Sequence, residues 1–270
     1  MNFPEESQLY VNNDLLEIVF HGRGAQGAWT ASELLAKAAL GQGKYIQSFP
    51  QFGPERMGAP VKAFCRINNK PIRIHCGIYY PKVVIILDPT LIKAIKNRDG
   101  KDIWDGLVEN GILVVNTKEP PEKLPELIQR EYGYDDIPDL SKYIVSTVPA
   151  IDIATKILGR PITNTAMLGG TLGAFSKYRR IPQKKLPCPK KPRVKLSRIP
   201  LESMYSVVEE RFPPKIAERN IEVIGKAYRT VQTKKLSYSS ECKEYLTPPP
   251  NPDSVPGIFW SRSALDGPQY

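Results

Sequence analysis

Histidine is nearly missing from this sequence: only His21 and His75 occur in 270 residues, and the four cysteines (Cys65, Cys76, Cys188, Cys242) stand far apart with no C-x-x-C pair. A disulfide framework, a zinc ribbon and a ferredoxin-type cluster all need closer cysteine spacing. With no H-x-x-x-H or H-x-H either, no metal held by this chain alone is expected. No apolar run approaches the ~20 residues that span a bilayer. The opening MNFPEESQLY lacks the basic and apolar regions of a signal peptide, so a cytoplasmic location without a membrane partner is expected. Acidic residues are absent from Ser176 to Pro200, where ten Lys and Arg match the whole formal net charge of +10. Such a stretch can bind phosphates through counterion release. It carries no nucleic-acid-binding motif and no interleaved aromatics, so the preferred reading is a solvated connector, or an arm on an acidic partner subunit, and nucleic acid is not an expected partner.

What is present reads as an α/β domain. Leu15–Phe20 (LLEIVF), Lys44–Phe49, Val61–Ile67, Lys82–Leu87 (KVVIIL), Gly111–Asn116 (GILVVN) and Lys142–Val148 (KYIVSTV) are apolar or β-branched runs fit for strands. Helical patterns lie between or after them: Ala31/Leu34/Leu35/Ala38 form one face, and Ile151/Ala154/Thr155/Leu158 another. Alternation of this kind means a mostly parallel sheet flanked by helices. Pro71–Cys76 is expected to pair with Val61–Ile67 across the turn NNK, giving an antiparallel hairpin addition. Two late helices follow, one through Leu201, Met204, Tyr205 and Val208 and one through Ala217, Ile221, Ile224 and Tyr228, broken at Pro213-Pro214. The expected organisation is an α/β domain over 1–180, a basic proline-rich insertion over 181–198, a helical pair over 199–232 completing the domain, and an extended proline-rich arm over 233–270, in which Phe259 and Trp260 could seat on a neighbour.

Loops at the carboxyl ends of parallel strands are where ligands bind. The first of them, in FHGRGAQGAWTASELLAKAA, spells G-x-G-x-x-G through Gly22, Gly24 and Gly27. Glycines let backbone approach a ligand, and the helix that follows offers unpaired N–H groups to an anion. A nicotinamide enzyme also needs an acid roughly 20 residues on, at the end of the second strand. Here that neighbourhood reads YIQSFPQF, with no acid before Glu55, while Glu33 lies inside the first helix and Arg23 puts a cation in the loop. What remains is a loop suited to phosphate or pyrophosphate, or a turn that packs helix on sheet. The Glu55–Arg56 pair, in SFPQFGPERMGAPVKAFCRI, would face a ligand, a partner, or each other.

Together GRGAQGAWTASELLAKAA, FPQFGPERMGAPVKAFCRI, DPTL, GILVVNT, GRPITNTAMLGG and LESMYSVVEERFPPKIAERNIEVIGKAY, in this order from Ile18 to Tyr228, resemble the gamma subunit or domain of the 2-oxoacid:ferredoxin oxidoreductases, the pyruvate synthase family. Two departures stand out: Ala25 occupies a position where the family usually has Gly, and Tyr178–Ser197 and the tail after Thr233 have no counterpart in it. The resemblance implies one subunit of an enzyme that turns a 2-oxoacid and coenzyme A into acyl-CoA and CO2, with electrons to ferredoxin. It implies alpha, beta and ferredoxin-like delta partners, which carry thiamine diphosphate, Mg and [4Fe-4S] clusters, and no catalytic residue in this chain. The chain itself is expected to cover the active site and help bind coenzyme A through Gly22, Arg23, Gly24, Gln26 and Gly27. Asn116, Thr117, Asn164 and Thr165 are expected in the same crevice, Asn164 having a simpler alternative role as a helix N-cap. Gly169, Gly170 and Gly173 are expected only to allow close helix packing. The related subunit of an indolepyruvate- or phenylglyoxylate-type enzyme, with an NAD-linked acceptor, is the alternative within the family. A free-standing dinucleotide-binding protein and a basic nucleic-acid module are the alternatives outside it.

Overall fold

The computed structural model describes residues 14–51 and 58–236; Glu55, Arg56, Cys242, Phe259 and Trp260 lie outside the described residues. Seven strands form one sheet in the order β2-β3-β1-β4-β5-β6-β7. They are β1 (Leu16–Arg23), β2 (Tyr45–Gln51), β3 (Pro60–Asn68), β4 (Val83–Ile86), β5 (Ile112–Asn116), β6 (Ile144–Val148) and β7 (Gln232–Lys235). β1, β4, β5 and β6 run parallel, whereas β3 lies antiparallel to both β1 and β2, and β7 antiparallel to β6. Every residue of β4, β5 and β6 is buried, which is why they read as unbroken apolar runs rather than alternating ones.

The helices are α1 (Ala28–Leu40), α2 (Leu91–Asp99), α3 (Leu124–Tyr132), α4 (Ala150–Leu158), α5 (Asn164–Arg180), α6 (Leu201–Arg211) and α7 (Pro214–Thr230). On the near face of the sheet, α1 packs Ala31, Leu34, Leu35 and Ala38 onto Leu16, Ile18 and Phe20 of β1 and Ala63, Cys65 and Ile67 of β3, in one core shared with α5, α6 and α7. α5 carries glycines where others come close: a Cβ on Gly169 would meet the Ile224 carbonyl oxygen at 2.3 Å, and one on Gly173 the Tyr228 carbonyl oxygen at 2.5 Å. The three glycines thus serve packing, as their spacing predicts, with Gly170 seated on Val148 of β6. On the far face, α2 and α3 cover β4, β5 and β6 with Ile92, Ile95, Leu127 and Ile128. Among the described residues no helix is long and apolar enough to cross a membrane.

Four expectations need correction. The antiparallel addition is built by β2 and β3, not by Val61–Ile67 and Pro71–Cys76. Pro71 has no N–H for a ladder, and residues 71–76 are instead held by side chains, with Gln47 Nε2 donating to the Ile74 carbonyl at 2.9 Å. α4 buries Ile153 and Ala154, leaving Ile151 and Thr155 exposed, so the face inferred from Ile151 is rotated. Residues 233–235, read as the start of the arm, belong to the sheet. The basic stretch is no loose connector: Leu186, Val194 and Ile199 enter the main core. The Asn110 side chain clasps its backbone, Oδ1 accepting from Cys188 N at 2.8 Å and Nδ2 donating to Cys188 O at 2.9 Å. Asn110 takes φ of 62°, a left-handed conformation that asparagine tolerates better than most residues.

Candidate functional site

From β1 the chain builds outward in opposite directions, through β3 and β2 on one side and through β4 to β7 on the other. The carboxyl ends of β1 and β4 therefore flank a topological switch point, the usual crevice for ligands in such sheets. The loop after β1 holds the glycine motif and the loop after β4 holds Asp88-Pro89-Thr90.

The two loops are tied by side chains. Arg23 Nε donates to Asp88 Oδ2 at 2.9 Å, its Nη2 to Thr90 Oγ1 at 2.8 Å and its Nη1 to the Gly58 carbonyl at 3.1 Å. Gln26 Oε1 accepts from Arg23 N at 2.8 Å, and Gln26 Nε2 donates to Asp88 Oδ2 at 2.9 Å. Asp88 completes the knot as a turn, its Oδ1 accepting from Thr90 N and Thr90 Oγ1. Burial alone would raise the Asp88 carboxyl, but the bonds from Thr90 and Gln26 and the charge of Arg23 outweigh it and hold the group below the usual aspartate value. Ala25 sits in this loop with φ of 74°, where a Cβ is strained and glycine is not.

Above the knot, two helix N-termini meet. Gly27, also at φ 74°, precedes α1, and a Cβ placed on it would meet Asn164 Nδ2 at 2.7 Å. Asn164 is the first residue of α5, not its N-cap: Thr163 holds that position, and Asn164 Oδ1 accepts from Thr165 N at 2.8 Å. Its Nδ2 makes no hydrogen bond to any described residue and lies beside Gly27. Neither Gly27 nor Thr163 caps its helix with a side chain. The first intrahelical acceptors are Gly27 O for Ala31 N and Thr163 O for Met167 N, so the earlier N–H groups of α1 and α5, apart from Thr165 N, have no intrahelical acceptor. Two helix dipoles there favour an anion.

The remaining expected residues lie beneath. Asn116 is buried, its Nδ2 donating to Leu87 O at 2.8 Å and its Oδ1 accepting from Ala150 N at 3.1 Å, which ties the end of β4 to the start of α4. Thr117 N donates to Val148 O, and its Oγ1 accepts from Glu119 N. Thr165 Oγ1 donates to Asn220 Oδ1 at 2.8 Å, fixing α5 on α7. The structure thus sets Gly27 against Asn164, packs Gly22 on Ala28, bonds Gly24 N to the Ala59 carbonyl, turns Arg23 and Gln26 onto Asp88, and makes Asn116, Thr117 and Thr165 internal ties. Asp88-Pro89-Thr90 is legible in the sequence as a strand-end loop where ligands bind, but its capture of Arg23 is not.

A model of the pyruvate ferredoxin/flavodoxin oxidoreductase family matches residues 17–230. The chain belongs to this family, as a gamma subunit. Among its relatives is the pyruvate/ketoisovalerate oxidoreductases common subunit gamma of Pyrococcus furiosus, 37% identical over 222 residues, covering 82% of this chain and 100% of the relative. Pyruvate synthase subunit PorC of Methanothermobacter thermautotrophicus is 36% identical over 218 residues, covering 81% of this chain and 97% of the relative. Among solved structures, the pyruvate oxidoreductase subunit PORC of Thermotoga maritima superposes with a TM-score of 0.59 at 31% identity, covering 82% of this chain and 99% of that one. The fold also recurs, at 15% identity and a TM-score of 0.54, within 31% of the 2-oxoglutarate:ferredoxin oxidoreductase chain of Magnetococcus marinus, whose structure holds 2-oxoglutarate, coenzyme A and succinyl-CoA. The gamma subunit is thus one part of a multisubunit oxidoreductase of the pyruvate synthase type.

Proposed function

We propose that this gamma subunit holds the phosphate-bearing part of coenzyme A at the mouth formed by Gly27 and Asn164, and covers an active site whose thiamine diphosphate, Mg and iron–sulfur clusters belong to alpha, beta and ferredoxin-like delta companions. The observation that carries the reading is the meeting of α1 and α5 at Gly27. Two uncapped N-termini, a spare amide donor and a glycine that leaves no room for a Cβ form a cradle for phosphate oxygens. That the Magnetococcus enzyme of the same fold is solved with coenzyme A supports this choice of anion.

In this reading backbone N–H groups and Asn164 Nδ2 bind the anion, while Arg23 and Gln26 act one step back. By gripping Asp88 they hold the glycine loop at its height over β1, and Asn116 fixes the floor through Leu87. When bound in a companion, thiamine diphosphate supplies the carbanion chemistry of decarboxylation. The gamma subunit positions the thiol acceptor for acyl transfer and keeps water from that site.

The test uses the whole complex, purified without oxygen. Asn164→Ala is expected to weaken coenzyme A binding by about 1–2 kcal/mol, while decarboxylation measured before coenzyme A is added keeps its rate. Coenzyme A affinity unchanged in Asn164→Ala and in Gly27→Val would contradict the assignment.

A further inference from the structure

The far face of the sheet is covered unevenly. Over β4, β5 and β6 it is sealed by α2 and α3, but over β2, β3 and β1 no described helix lies on it. The side chains there are Gln47, Phe49 and Gln51 of β2, Lys62, Phe64 and Arg66 of β3, and Val19 and His21 of β1. Among the described residues Ile78 covers them, joining Val19, Phe64 and Phe49 in a small cluster.

Arg66 makes this region rigid. It is 1% exposed, pairs with Glu17 at 2.9 Å, and donates to the Gly77 carbonyl at 3.0 Å, so the segment carrying Ile78, Tyr79 and Tyr80 is pinned across the sheet. Gly106, at φ 84°, lies against the other side of that segment, where a Cβ would overlap the Tyr79 carbonyl oxygen. Between these anchors a cavity of about 570 Å³ opens, floored by Val19, Phe64 and Val84.

At its wall Lys62 stands directly opposite His21 in the β1–β3 register. Lys62 is half-buried and makes no hydrogen bond or ion pair with any described residue. Asp99, whose charge acts on it, is bonded to Arg98 at 2.7 and 2.9 Å, and the other aspartates lining the cavity are engaged as well, Asp102 with Lys96 at 2.9 Å and Asp105 with Asp102 N at 3.2 Å. His21 is buried and neutral, its pKa lowered to about 3 by burial and by Lys62, and an imidazole carries no negative charge in either protonation state. Tyr79 and Tyr80, which line the cavity, are 71% and 66% exposed. Large tyrosines around a desolvated charge are the composition of a protein interface core. A small carboxylate would neutralise Lys62 but leave the tyrosines in water.

We propose that this face seats another subunit of the same oxidoreductase, through a segment that sets an Asp or Glu carboxylate on Lys62 and packs apolar side chains between Phe64, Ile78 and the two tyrosines. The proposal rests on the chain being one subunit among several and is independent of the coenzyme A assignment, since the two sites have no residue in common.

The test is made on the complex purified from its host, carrying the wild-type chain, Lys62→Arg, Lys62→Ala or Lys62→Glu. Retention of the gamma chain by its companions is followed as salt is raised, and a photo-crosslinking phenylalanine at position 79 identifies the neighbour. Lys62→Arg should hold, Lys62→Ala should weaken retention about tenfold, and Lys62→Glu should weaken it further, with the crosslink landing on a companion peptide beside an Asp or Glu. Wild-type retention of a folded Lys62→Glu chain overturns the proposal. So does a crosslink to a second copy of this chain, or one to no protein at all. If Lys62→Glu does not fold, Lys62→Ala and the crosslink decide alone.

Discussion

Two regions beside β1 treat charge in opposite ways. At its carboxyl end Arg23 is matched within the chain by Asp88, Thr90 and the Gly58 carbonyl, and the donors left over are the N–H groups at the mouth and Asn164 Nδ2. On the far face Arg66 is matched by Glu17, while Lys62 faces a cavity with no described acid bonded to it. The chain thus consumes the side-chain cation beside its proposed anion cradle and leaves one unconsumed elsewhere. A phosphate held by backbone dipoles does not need a free guanidinium, whereas a half-buried ammonium with no acid bonded to it among the described residues leaves a place for a partner's carboxylate.

The largest expected effect that separates the two regions comes from Arg66→Ala. Removing a cation that is 1% exposed strands Glu17 and frees the segment at Gly77, and should cost about 3–5 kcal/mol of unfolding free energy in denaturant titration. Coenzyme A affinity of the surviving folded complex should not change. If it falls with stability, the regions are coupled and the division drawn between them fails. Gly169→Ala tests the near face alone. With the Ile224 carbonyl oxygen 2.3 Å from the new Cβ, α5 must move off α7, for about 1–3 kcal/mol. Since Asn164 heads the same helix, coenzyme A binding should weaken too.

Acid should act through the boundary residue His21. Its folded pKa of about 3 lies below the ordinary value of 6.5, so its contribution is complete above pH 6.5 and is lost as pH falls from 6.5 toward 3. His21→Gln should flatten the decline of stability with acid over that window, by at most about 1.4 kcal/mol per pH unit. An unchanged pH profile would show that His21 is not the group that titrates. The smallest effect is expected at Ala25. Ala25→Gly relieves a left-handed alanine and should stabilise by less than about 1 kcal/mol, the αL penalty being offset by added chain entropy in the unfolded state.

Much of this was readable in advance. The buried parallel strands announced themselves as apolar runs, α1 by its alanine and leucine stripe, and α5 by glycines that only close packing explains. The hairpin was misplaced because a turn such as NNK specifies a reversal locally. The pairing of Tyr45–Gln51 with β3 is a long-range choice made by register and by what Pro71 cannot donate. The face of α4 was misread because Ile151 is exposed, and periodicity alone cannot tell an exposed isoleucine from a core one. At the site, the glycine loop and Asn164 were visible singly. Their contact across 137 positions in sequence was not, nor was the capture of Arg23 by Asp88. The clasp of Asn110 on Cys188 that orders the basic stretch is equally remote.

The most direct test of the central claim is amide hydrogen exchange in the intact anaerobic complex, with and without coenzyme A. The account predicts that coenzyme A slows exchange at residues 24–31 and 164–167, the two first turns that meet at Gly27, and leaves residues 60–68 and 74–80 on the far face unchanged. Unaltered exchange at both first turns, with coenzyme A bound, would contradict it.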